Sequence, residues 1–155
     1  MKKTGGVRSV LPAALILAMT FFLAGPAFCE GGAVDCDIDR GACTGLVTTG
    51  MTARLEITPR PVETMKDLIL RVDLKQGAVS VTDAEVSLSF SMPGMTMPEN
   101  TVSLRHRGGG RYQGSGTIVR CPGGSRLWRA DLRVKRLSGS ERQSRRVSFS
   151  FRLIR

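Results

Sequence analysis

The stretch "EVSLSFSM" at residues 85–92 alternates without a break: Val86, Leu88, Phe90 and Met92 fall on one parity, Ser87, Ser89 and Ser91 on the other. A period of two sends successive side chains to opposite faces of an extended chain, so this is a strand with one apolar and one wet face. Working outward, the same alternation recurs at Ala53, Leu55 and Ile57, at Leu68, Leu70, Val72 and Leu74, and at Val102 and Leu104. It continues with Ile118 in the segment 111–121, with Trp128, Ala130, Leu132 and Val134, and with Val147, Phe149, Phe151 and Leu153. Between these runs stand "TPRPVE", "KQG", "MPGMTMPEN", "RGGG", "CPGG" and "LSGSERQ", all rich in turn residues. About seven short strands, each with one apolar face, bury those faces best as a two-layer antiparallel β-sandwich, so an all-β domain over residues 51–155 is predicted. Arg129, Asp131, Arg133 and Lys135 take the outward positions of their strand.

Residues 30–50 are glycine-rich and lack an apolar repeat, and are expected to form a flexible or disulfide-tied N-terminal arm. Ahead of them, Lys2, Lys3 and Arg8 precede an apolar run from Leu11 to Leu23 and then "AGPAFCE". This is the pattern of a secretory signal over residues 1–29. The run is shorter than the about 18 to 20 residues a membrane-spanning helix needs, and no second run follows, so the mature chain is expected to be periplasmic or extracellular without a membrane span. Acylation at Cys29 would anchor the chain to a membrane, but Phe28 stands where a small residue is required. What remains is enough for one core and too little for two.

Three cysteines then remain, Cys36, Cys43 and Cys121. In an oxidising compartment two of them pair, and "CDIDRGAC" brings the first two close enough for a local loop. Cys121 is left as a buried thiol, an intermolecular bridge or a metal ligand.

Charge is distributed unevenly: residues 30–100 carry 6 basic and 11 acidic side chains, residues 101–155 carry 14 and 2. The C-terminal half is therefore at +12, a surface suited to an acidic envelope partner, acidic glycans or anionic headgroups, or simply the solvated faces of strands. Nucleic acid is excluded as an expected partner by the export signal and by the lack of aromatics interleaved with the arginines.

The candidate chemistry lies in "MPGMTM", residues 92–97. Proline followed by glycine at the centre of a four-residue turn signals type II, which brings the first and fourth Cα atoms within about 7 Å. Met92 and Met95 approach each other in such a turn, and an extended Thr96 points Met95 and Met97 the same way. Thioethers are soft donors that suit Cu(I). They are also flexible core filler, and Met92 continues the inward face of Val86, Leu88 and Phe90. The "RGGG" turn predicts a hairpin in which His106 pairs with Tyr112, a register that sets position 121 opposite 97 and brings Cys121 toward the methionines. A thiolate beside thioethers improves a Cu(I) site, whereas a buried Cys121 would pack as a small hydrophobe. His106 falls at the other end of its strand and is read as an exposed strand-end residue. Asp35, Asp37 and Asp39 resemble the start of a calcium loop, but Arg40 replaces the turn glycine and no acid closes the loop. No nucleophile, base and acid are arranged in a legible pattern, so catalysis is not expected.

The runs "SLSFSMPGMTMPENTVSL", "GRYQGSGTIVRCPGG" and "LWRADLRV" together resemble the YtkA-like domain family, whose relatives include the FixH group of envelope proteins. The resemblance covers about residues 52–136, with Met92, Pro93, Met95 and Met97 at the family's methionine turn. Tyr112, Gly114 and Gly116 stand at its aromatic-glycine strand and Trp128 at its tryptophan strand. It implies a small immunoglobulin-like β-sandwich outside the cytoplasm, associated with copper handling, cation transport or oxidase maturation. Unlike the membrane-anchored members, this chain is expected to keep no span after its signal. The combined expectation is an exported protein that holds Cu(I) through Met92, Met95, Met97 and Cys121 as a carrier or sensor, with an envelope protein or metal transporter as partner. The alternative is a metal-free module that docks through its basic half.

Overall fold

The computed structural model describes residues 34–98, 100–120, 126–138 and 141–153. Among them the chain forms strands β1 (Val34–Asp35), β2 (Cys43–Thr48), β3 (Met51–Thr58), β4 (Leu68–Gln76), β5 (Val79–Ser80), β6 (Glu85–Ser91), β7 (Thr101–His106), β8 (Arg111–Gly116), β9 (Leu127–Ser138) and β10 (Glu141–Arg152), and no helix. The all-β expectation holds.

The strands do not separate into two stacked sheets of seven strands in all. They form one path of nine, β1-β10-β9-β6-β7-β8-β4-β3-β2, with β5 added beside β4, and every pairing is antiparallel except β1 with β10. The joining strand is β7: Thr101–Leu104 pair with β6, while Arg105 and His106 pair with β8. At the far end of the path β2 returns to β10 without a hydrogen-bonded ladder. A Cβ at Gly45 would sit 2.8 Å from Val147 Cγ2 and 3.1 Å from Phe149 Cε1, so only glycine allows this approach. The sheet is thus barrel-like and nearly closed.

The inward parity fills the barrel. One cross-strand row runs Phe90, Ala130, Phe149, with the small alanine between two rings. The next runs Val102, Leu88, Leu132, Val147, and a third Leu104, Val86, Val134. From the other side come Leu55, Val72 and Tyr112 in one row and Ile57 with Leu70 in another. Trp128 is fully buried beside Phe151. On β8 the inward positions after Tyr112 are Gly114 and Gly116; a Cβ there would meet Leu104 Cδ2 at 2.8 Å and Val102 Cγ2 at 2.7 Å. These glycines make room for the side chains of β7 as it crosses from β8 to β6. Tyr112 is wholly buried, and its hydroxyl donates to the Val81 carbonyl and accepts from the Ala84 amide, each at 3.1 Å.

Residues 34–50 contribute β1, β2 and the Cys36–Cys43 disulfide. Inside the loop so closed, Ile38 is buried in the core, and Asp39 Oδ1 accepts the Val62 amide at 2.6 Å. Asp37 is engaged by Arg40 at 3.0 Å.

Antiparallel pairing collects the connections at two ends. Residues 59–67, 92–98 and 117–120 lie at one end; the turns at 49–50, 77–84 and 107–110 lie at the other.

Candidate functional site

The methionine turn has the geometry its sequence predicts. The Met95 amide donates to the Met92 carbonyl at 3.2 Å, and Gly94 takes φ +78°, the left-handed conformation that the third position of a type II turn demands. The side chains then part company. Met92 is 3 % exposed and belongs to the core, whereas Met95 is 42 % exposed and Met97 is half-buried against the core edge. Met92 therefore anchors the turn from inside, while Met95 is exposed and Met97 lies at the core edge.

The hairpin register is as expected where it exists: His106 pairs with Tyr112 and Arg105 with Gln113. It extends no further, because Thr101–Leu104 turn to β6 and β8 turns to β4. A ladder from 105/113 therefore does not run on to positions 97 and 121, and Cys121 lies outside the described residues. Nearby contacts still tie the two connections together: the Asn100 Nδ2 group donates to the Thr117 carbonyl at 2.8 Å. His106 is exposed, with its ring 5.1 Å from that of Tyr112, at the opposite end of β7 from the methionine turn.

Met65 was not singled out by sequence reasoning. It lies on the 59–67 connection at the methionine end, 62 % exposed, and its amide donates to the Ile118 carbonyl at 2.8 Å. Its φ is +60°, rare for a bulky residue. The sequence signal was weak: "ETMKD" is a polar connection with one methionine in it, and long apolar residues in loops are common. Among the described residues no group of three or more His, Cys, Asp or Glu side chains gathers in a metal-binding arrangement.

The outer face of β6, β9 and β10 is polar. Ser87, Arg133 and Arg146 make one cross-strand row, Ser89, Asp131 and Ser148 the next, and Ser91, Arg129 and Ser150 a third. The Ser148 hydroxyl donates to Asp131 Oδ1. Arg133 and Arg146 are directly opposed, exposed, and form no ion pair among the described residues. At the far end of the molecule Arg136 holds Asp83 at 2.9 Å, and this hydrogen bond keeps the Asp83 carboxyl below its ordinary range despite some desolvation. Burial pushes the Tyr112 phenol up.

No curated protein and no solved structure matches the chain. The match that exists is to a family model: the YtkA-like model covers residues 47–124, from the end of β2 through the methionine turn and the glycine strand, stopping short of Trp128. Spanning half of the sequence, and with the methionine turn inside it, this match establishes that the chain belongs to the YtkA-like family.

Proposed function

We propose that this protein is an exported carrier or sensor for a soft metal ion, Cu(I) above all, and not an enzyme. The observation that carries the reading is that Met65 and Met95 are exposed, and Met97 is only half-buried against the core edge, at one end of the barrel. Methionine is ordinarily among the most buried residue types, and a thioether has few uses at a surface other than apolar contact or soft coordination. Met95 and Met97 are the principal donors. Met92 fixes the turn from the core side, and Cys121, which lies outside the described residues, is proposed as a further donor. Thioethers remain unprotonated at every pH the envelope meets, so the methionine donors would bind without competing with protons. The immunoglobulin-like description of the fold belongs to this reading: two strand layers joined through β7, with the site at the loop end.

The test is the double variant Met95→Leu/Met97→Leu, compared with the parent for Cu(I) binding against a competing chelator under anaerobic conditions. Leucine keeps size and apolarity, so stability should change by less than about 1.5 kcal/mol, while binding should be lost. Unchanged affinity in the variant refutes the site.

A second reading is favoured by one specific observation, the opposed pair Arg133 and Arg146 on the serine-rich outer face. Like charges directly across a sheet are destabilising, and an acidic partner would relieve that repulsion. On this reading the basic face docks on an acidic envelope protein. Retention by envelope material that is indifferent to salt between about 0.05 and 0.5 M would refute it, since exposed charges are screened over that range.

A further inference from the structure

The inward face of the barrel changes character at the end opposite the methionines. On β9 the inward parity runs Leu132, Val134, Arg136, and on β10 it runs Val147, Arg145, Gln143, with Val134 paired to Arg145 and Arg136 to Gln143. On the facing strands the same parity ends in Met51 and Gln76, which are themselves a register pair. These residues surround a cleft of about 320 Å3 at the mouth of the barrel. Met51 and Val134 are buried and form its apolar floor. Gln76 and Gln143 supply amides, and Arg136 and Arg145 supply positive charge.

Two features set this cleft apart from an ordinary wet barrel end. Arg136 spends its Nη2 group on Asp83, yet its Nε is buried without a hydrogen-bond partner, a donor that is costly to leave unmade. Arg145 meets no carboxylate among the described residues, only the Gln143 side-chain oxygen at 3.3 Å. The unpartnered Arg136 Nε and the Arg145 charge that no described carboxylate meets, above an apolar floor, suit an acceptor-only anionic head on a short apolar tail. Barrel mouths are a common place for such sites, and the volume falls within the range of small-ligand pockets.

We propose that this cleft binds a small aliphatic carboxylate, its head on Arg136 and Arg145 and its tail on Met51 and Val134. The site is separate from the methionine end and does not depend on metal binding there. The experiment is a titration of the isotope-labelled full-length mature protein with hexanoate, hexanol and hexylammonium, followed by amide NMR shifts. Hexanoate should give saturable shifts confined to residues around Thr48–Met51, Gln76, Val134–Arg136 and Gln143–Arg145, and the other two probes should not. Arg145→Gln, an exposed position whose replacement keeps the fold, should weaken hexanoate at least tenfold, while Arg146→Gln on the outer face leaves it within twofold. The proposal is overturned if no saturable shifts occur, if hexanol matches hexanoate, or if Arg146→Gln weakens binding as much as Arg145→Gln.

Discussion

Replacing Tyr112 with phenylalanine removes one oxygen from a wholly buried position in the barrel. That oxygen serves two backbone groups of the 77–84 connection, accepting from the Ala84 amide and donating to the Val81 carbonyl. The ring still fills its place, so no cavity forms and the loss is polar alone. A carbonyl left buried without a partner costs about 1–3 kcal/mol, and a part-buried amide that loses its acceptor about 0.5–1.5 kcal/mol. The sum centres on about 3 kcal/mol. With a urea dependence of about 1–3 kcal/mol/M for a domain of this size, the midpoint should fall by about 1–3 M with an unchanged slope. The variant also has a signature in pH. Burial raises the folded-state phenol above its ordinary value of 10.0, so alkali ionises Tyr112 more readily in the unfolded chain. The tyrosine's contribution is intact below about pH 10 and is lost as pH rises through the raised folded value. The parent should therefore lose stability faster than Tyr112→Phe above pH 10, and the two curves should converge. A loss below about 0.5 kcal/mol at neutral pH, or parallel curves in alkali, would refute this account of how the connection is held.

Closure of the barrel is tested at Gly45. Alanine there would press on Val147 and Phe149, and overpacking of this kind costs about 1–3 kcal/mol; a neutral Gly45→Ala in thermal melts would mean that β2 and β10 are not in contact. Asp83 should titrate below 3.8 by NMR, and Arg136→Gln should raise its midpoint. Because the folded value is depressed, whatever Asp83 contributes is present above about pH 3.8 and is lost as pH falls through the lowered value; an unmoved midpoint in Arg136→Gln would discard the pair.

The strands that sequence reveals are those with at least three apolar residues in succession on the inward parity. β3, β4, β6, β9 and β10 qualify, and Phe90, Leu132 or Phe149 could be assigned to the core from alternation alone. β2 escapes because its inward row includes Cys43 and Gly45, the latter small so that β10 can approach. β8 is readable only at Tyr112, since Gly114 and Gly116 give up their side chains to make room for Leu104 and Val102. That substitution of a neighbour's bulk for one's own cannot be seen along a single strand. The His106 and Tyr112 pairing followed correctly from the glycine turn, but alternation cannot say that β7 changes partners after two residues, so the inferred path from Met97 to Cys121 lost its ladder. At the methionine turn, proline and glycine encode the backbone, and the inward phase of β6 encodes the burial of Met92. The exposure of Met65 depends on a connection that carries no periodic signal, and the cationic mouth is legible only once Arg136 and Arg145 are seen to share the parity of the core.

The most direct test of the soft-metal account is X-ray absorption at the copper edge of the Cu(I)-loaded, tag-free mature protein, prepared anaerobically at one equivalent. The account predicts a first coordination shell of sulfur alone, diminished in Met95→Leu/Met97→Leu. A shell of nitrogen or oxygen, or copper that washes away before measurement, would contradict it.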